Sequence, residues 1–168
     1  MDKLLSRRIF NLSGFVICIA LLGYAYYTQF FLGLEPCPLC IFQRIAVITL
    51  GVVFLAAGLH HPGRTGSRIY SLFIILAAAG GAGIAGRHVW LQHLPADQVP
   101  ACGPGLSYML DVFPLADAIK MAFTGSGECA DVDWTFLGLS MPTWVVVWFV
   151  ILGVSGFARN WWMETAPR

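Results

Sequence analysis

Apolar residues in this chain come in long unbroken runs, with polar and charged residues gathered between them. Four runs stand out: Ile9 to Leu34, Ile45 to Leu59, Ile69 to Ala85 and Pro142 to Ala158, the first with no charge inside it. A helix crossing ~30 Å of hydrocarbon needs about 20 residues, which the first run supplies by itself. The others reach that length when their ends take in Cys40, Arg44, Arg87 and Trp161, since charged residues at helix ends can snorkel to the interface. The pattern predicts an all-α integral membrane protein: a four-transmembrane-helix bundle forming a single membrane domain over residues 1–168. Its helices are expected over about 10–31, 41–60, 69–90 and 142–161, joined outside by connections at about 32–40 and 91–141.

Met1 to Arg8 resembles the basic start of a cleaved signal peptide. The apolar run behind it is too long, however, and Tyr24, Tyr26, Tyr27 and Phe30 occupy the place of small cleavage-site residues. The first helix is therefore read as an anchor. The third run carries two small-residue stripes, Ala78-Ala82-Gly86 and Ala77-Gly81-Ala85, a spacing that lets helix backbones approach closely in lipid. Ser140 and Pro142 suit the start of the fourth helix. Trp144 and Trp148 at one end and Trp161 and Trp162 at the other read as interfacial belts. Within the long connection, Leu115, Ile119 and Phe123 recur at helical spacing and predict a short helix in the interface plane. Gly125-Ser126-Gly127 then supplies a turn before Cys129.

Composition agrees with the pattern. Of 168 residues, 58% are hydrophobic and 11% charged, so the chain cannot cover its own apolar surface and needs lipid. No Lys/Arg run offers a face for nucleic acid. With four alternating helices, Lys3, Arg7, Arg8, Arg64, Arg68, Arg159 and Arg168 fall on one side, and Lys120 alone lies in a loop on the other. The excess of positive residues marks the cytoplasm. Both termini and the 60–68 turn are thus expected inside, and the 32–40 and 91–141 connections outside.

That topology sorts the five cysteines. Cys37, Cys40, Cys102 and Cys129 all lie on the outer side, where disulfides persist, and Cys18 lies inside the first helix as a small packing residue. Cys37-Pro38-Leu39-Cys40 has the spacing of a disulfide that can close and reopen without large backbone movement. Cys40 sits where the second helix begins, so unpaired amides and the helix dipole are expected to favour its thiolate, the nucleophile of disulfide exchange. Arg44 is one turn further on the same face, where its charge could stabilise that thiolate and a bound acceptor. Other readings weigh against these. Four cysteines could hold structural zinc, although Cys102 and Cys129 are widely separated for that, and no metal is expected. Two inert disulfides are the blander reading, although so short a Cys37–Cys40 loop would add little stability. Arg44, Arg87 and His88 could simply be snorkelling residues at helix ends.

Taken in order, these motifs resemble the DsbB family, the bacterial inner-membrane disulfide bond formation protein B. The resemblance is carried by Cys37-Pro38-Leu39-Cys40-Ile41-Phe42-Gln43-Arg44, by Cys102-Gly103-Pro104 with Tyr108-Met109, by Gly125-Ser126-Gly127-Glu128-Cys129, and by the stretch from Trp134 to Trp144. It spans nearly the whole chain. It implies a bundle in the bacterial inner membrane, both termini cytoplasmic, that reoxidises a periplasmic thioredoxin-like partner, DsbA, and passes the electrons to a membrane quinone (ubiquinone or menaquinone). It also implies that Cys102 forms the mixed disulfide with the partner. Cys129, so released, exchanges with Cys37 and leaves Cys40 as the thiolate beside the quinone. Arg44 is expected to contact the quinone and His88 to lie near its ring. Two other functions are set against this one. A quinone or epoxide reductase of the vitamin K type would place its membrane-proximal Cys-x-x-Cys late in the bundle, unlike this chain. A non-enzymatic four-helix scaffold with a stapled outer loop would leave the placement of Cys40 and Arg44 unexplained.

Overall fold

The chain's architecture comes from a computed structural model that describes residues 2–60, 62–95, 97–100, 112, 114–125, 127–132 and 134–162, with residues 2–6, 115, 118, 119, 121 and 122 described by their backbone. Four long helices dominate: α1 (Asp2–Leu32), α2 (Pro38–His60), α3 (Arg64–Gln92) and, after the long connection, α5 (Met141–Trp162). A shorter helix, α4 (Leu115–Thr124), lies within that connection. The four long helices hold stretches of mean hydropathy between 1.8 and 2.2, each long enough to cross a bilayer. The protein is therefore a multi-pass membrane protein. Large apolar side chains such as Phe30, Phe31, Leu76 and Val154 stand exposed on its flanks, as expected where lipid is the solvent.

Short links set the order of packing. Gly33, at φ +68°, ends α1 in the left-handed conformation that glycine adopts without strain. Cys37 then precedes α2, its carbonyl accepting from the Ile41 N–H at 3.2 Å. Helix α1 packs mainly on α2, α2 on α3, and α3 on α5, whereas the α1–α5 seam is sparsely packed.

The α3–α5 contact explains the small residues of the third run. The buried stripe on α3 is Ile74, Ala78, Gly81, Ala85 and His88, which takes members from both stripes seen in the sequence. A helix repeats every 3.6 residues, so a strict step of four drifts off the contact face. Gly86 accordingly faces open space, while a Cβ at Gly81 would lie 2.2 Å from the Phe149 ring. Gly153 on α5 answers with a seat for Ala78, where an added Cβ would stand 2.6 Å from that residue's Cβ. Phe54 of α2 fills the centre between Gly14 and Gly156. Around it pack Leu50, Ile74, Phe149, Leu152 and Cys18, all buried. Cys18 is thus a core residue, as expected from its place in the first run.

The connection between α3 and α5 folds back over one end of the bundle. After α4, Gly125 adopts φ +88° with its backbone against Leu91, and a single 3-10 turn, Gly127–Cys129, follows. Strands β1 (Thr135–Phe136) and β2 (Leu139–Ser140) pair antiparallel, Thr135 opposite Ser140 and Phe136 opposite Leu139. Leu137 and Gly138 between them both take positive φ, the geometry whose twist matches a two-residue hairpin. The Ser140 hydroxyl, just before α5, donates to Gln92 Oε1 at 2.7 Å. The hairpin is thereby tied to the end of α3.

Candidate functional site

Three elements converge at the end of the bundle that this connection covers. Cys37 and Cys40 open α2, His88 comes from the last turns of α3, and Cys129 ends the 3-10 turn. Cys37, Leu39, Leu91 and Cys129 form one small buried cluster with Cys40 against it. The position of Cys129 follows from local structure, because the glycine at 125 lets the chain turn directly over Leu91.

The Cys37 thiol donates to the Cys40 sulfur at 3.1 Å and also accepts the Cys40 backbone N–H at 3.4 Å. Cys37 is thus the side-chain cap of α2. The amide that sequence reasoning assigned to Cys40's own sulfur turns instead to Cys37, because a capping side chain reaches the amide three residues ahead. Hydrogen bonding to the Cys129 sulfur, then to the Cys40 sulfur, together with burial, pushes the Cys37 thiol up from its ordinary range. The sulfurs of Cys37 and Cys129 and a ring nitrogen of His88 all lie within 4.8 Å of one another.

His88 stands between the sulfurs. Its Nε2 is 3.9 Å from Cys37 Sγ and its Nδ1 is 4.0 Å from Cys40 Sγ. It is 3% exposed, so it is no snorkelling residue at a helix end. Gln43, also buried, places its Nε2 2.9 Å from His88 Nδ1. With the amide donating, the imidazole proton resides on Nε2, facing Cys37. Gln43 received no role of its own from the sequence. The available signal was a polar residue inside an apolar span, one position before Arg44.

Arg44, on α2, turns toward α1. Its guanidinium reaches across to α1, donating to Gln29 Oε1 and to the Ala25 carbonyl at 3.1 Å, and sits 4.9 Å from the Tyr26 ring centre. It lines the same cavity as Cys40, while its hydrogen bonds go to α1. Arg87 points away from the sulfurs, donating to the Thr124 carbonyl of α4 at 3.0 Å. Cys102 lies outside the described residues.

A cavity of about 600 Å³ extends from the sulfurs into the sparsely packed α1–α5 seam. Leu21, Leu22, Val47, Val145, Trp148 and Phe149 line its apolar length, and Cys37, Cys40, Gln43, Arg44 and His88 gather at one end. Trp144 and Trp148, read from sequence as a belt, wall this cavity together with Trp134 and Phe136 of the hairpin. The Trp144 indole donates to the Phe136 carbonyl at 3.1 Å.

Comparison with known proteins decides the family. The family model described as "Disulfide bond formation protein DsbB" matches residues 7–158. The chain belongs to the DsbB family. Similar relatives include Disulfide bond formation protein B of Methylococcus capsulatus, 57% identical over 94% of this chain and 95% of the relative. The protein of the same name from Nitrosococcus oceani is 55% identical over 90% of this chain and 89% of its own. That of Hahella chejuensis is 51% identical over 96% and 94%. The resemblance drawn from the motifs is therefore correct. In this DsbB-family chain the Cys-x-x-Cys pair and a buried histidine line one end of an apolar cavity, with Cys129 packed against Cys37.

Proposed function

We propose that this protein is a quinone-dependent thiol–disulfide oxidoreductase of the bacterial inner membrane, which reoxidises a periplasmic DsbA-like dithiol protein. The observation that carries the reading is the meeting of Cys129 with the Cys37–Cys40 pair at one end of the 600 Å³ cavity. Ligand sites of this size are typically apolar with a few convergent polar groups. Here the apolar length suits a flat ring and its chain, and Arg44, Gln43 and His88 offer polar contacts for ring oxygens. A quinone held there would supply the two-electron acceptor.

The chain's own residues supply the rest. A partner thiolate attacks the Cys102 sulfur of a Cys102–Cys129 bridge, forming a mixed disulfide and releasing Cys129 as a thiolate. The partner's second thiolate displaces Cys102, so the partner leaves oxidised and two electrons stay on this chain. Cys129 attacks Cys37 of a Cys37–Cys40 bridge, forming Cys37–Cys129 and freeing the Cys40 thiolate into the cavity. Cys102 then closes again on Cys129, and the two electrons rest on Cys37 and Cys40 for delivery to the acceptor. The His88 proton on Nε2 faces Cys37, where it can stabilise negative charge on that sulfur. Arg44 of α2, its guanidinium held by hydrogen bonds to α1, places positive charge along the cavity wall.

A second reading has one observation in its favour. Cys37, His88 and Cys129 group closely enough to suggest a zinc site. The Cys37 sulfur, however, also lies 3.1 Å from that of Cys40, which stands outside this group of three and which a zinc site on the other three would leave without a role. Sulfur exchange uses all three cysteines.

Purified protein mixed with a reduced thioredoxin-like protein and a quinone should reduce the quinone. Cys37→Ser and Cys102→Ser should each abolish turnover, and Arg44→Ala should weaken apparent quinone affinity more than partner exchange. Full activity in both cysteine variants would exclude the relay, and stoichiometric zinc in the purified protein would favour the metal site.

A further inference from the structure

Arg87 is the charged residue near the end of α3 that the relay leaves unused. Its side chain turns away from the sulfurs and donates to the Thr124 carbonyl at 3.0 Å. The same guanidinium lies 4.2 Å from the ring centre of Trp90 on the next turn of α3, a contact that steers the side chain. Thr124 is the last residue of α4. A helix leaves its last carbonyls without partners inside it and carries partial negative charge at that end. The last turn of α4 holds no basic residue of its own. The cation that complements it comes from α3.

What α4 leads to gives that contact its meaning. Phe123 packs against Phe42 of α2, with ring centres 5.2 Å apart. Gly125 lays its backbone on Leu91, and Cys129 ends the next turn, buried with Cys37 and Leu91. On the far side of Cys129, Gln92 Nε2 donates to the Asp131 carbonyl at 3.5 Å. Positions 123, 124 and 125 are thus each held by α2 or α3 just before the sulfur. Helix α3 also presents His88, so the Arg87 bond sets Cys129 in the frame of the helix that carries His88. That bond is exposed to solvent, and exposed charge contacts are weak. It can bias the place of this segment without locking it. In the proposed relay Cys129 exchanges with Cys102 and Cys37 in turn, which such a hold permits.

We propose that Arg87 is a positioning residue for the thiol exchange: by capping α4 it raises the effective concentration of Cys129 at Cys37. The inference rests on the relay proposed above. In the step concerned, the Cys129 thiolate attacks Cys37. The Cys37–Cys129 bond forms as the Cys37–Cys40 bond breaks, and the electron pair leaves on Cys40 as its thiolate. Arg87 acts on this step only through the segment that carries Cys129.

The test is the equilibrium of the Cys37–Cys129 bond with reduced and oxidised glutathione, in the full-length Cys40→Ser/Cys102→Ser chain in detergent. Arg87→Gln should lower that constant about two- to fivefold, the equivalent of the ~0.3–1 kcal/mol of a cation at a helix C-terminus. Arg87→Lys, which keeps the cation, should recover most of the loss. In a Cys102→Ser/Cys129→Ser chain, the Cys37–Cys40 equilibrium should not respond to Arg87→Gln. That control separates positioning of Cys129 from general damage to this end of the bundle. An unchanged Cys37–Cys129 constant, a lysine variant as impaired as the glutamine one, or an equal fall at Cys37–Cys40 would overturn the role of Arg87 and leave the relay standing. Failure of the Cys37–Cys129 bond to form with Arg87 intact would instead overturn the relay, and this assignment with it.

Discussion

His88 and Gln43 show how a few side chains set the chemistry around the sulfurs. His88 is buried, within about 4 Å of both Cys37 and Cys40, and Gln43 is the hydrogen-bond partner that orients its ring. Gln43→Leu would leave His88 Nδ1 buried without its partner, a loss of about 1–3 kcal/mol. Denaturant unfolding in detergent should register that loss, and unchanged stability would show that Gln43 does not hold the ring. The sequence made the cysteines legible because spacing and topology are one-dimensional properties. The Gln43–His88 contact joins two helices 45 positions apart, and no periodicity encodes it. Arg44 teaches the same lesson. Its place on the face of Cys40 was readable, but its turn toward Gln29 and Ala25 depends on where α1 packs.

At the scale of elements, close backbone approach on α3 decides the packing. Gly81 and Gly83 are two residues apart, yet a Cβ at Gly81 would meet the Phe149 ring at 2.2 Å and one at Gly83 would meet nothing within 4 Å. Gly81→Ala should therefore cost about 1–3 kcal/mol by overpacking. Gly83→Ala should be neutral or slightly stabilising, since alanine favours helix. Thermal unfolding of the two variants checks the contrast, and equal effects would contradict the α3–α5 contact. The small-residue stripes predicted a tight helix pair, but not its partner or its exact face. Those follow from the 3.6-residue repeat and from the large side chain that α5 supplies opposite Gly81. The hairpin at 135–140 escaped the sequence reading, because a two-residue strand carries too little alternation to register.

For the molecule as a whole, hydrophobic pattern alone yielded the architecture, because lipid requires each span to satisfy its own backbone hydrogen bonds. The cavity was not legible in that way, since it exists only where the α1–α5 seam fails to close. Charge distribution then bears on orientation. Arg7, Arg64 and Arg68 line one pocket at the end away from the sulfurs, and such clustering predicts that end in the cytoplasm. A fluorescent protein fused to the C-terminus should therefore fold and fluoresce, and alkaline phosphatase fused there should stay inactive. The reverse pair of results would invert the bundle and put the cysteines in a reducing compartment. The central claim is that Cys129 hands its electrons to Cys37. Peptide mapping of disulfides in a Cys40→Ser/Cys102→Ser variant tests it most directly. A Cys37–Cys129 bond should accumulate on mild oxidation, and both sulfurs remaining as free thiols would contradict the relay.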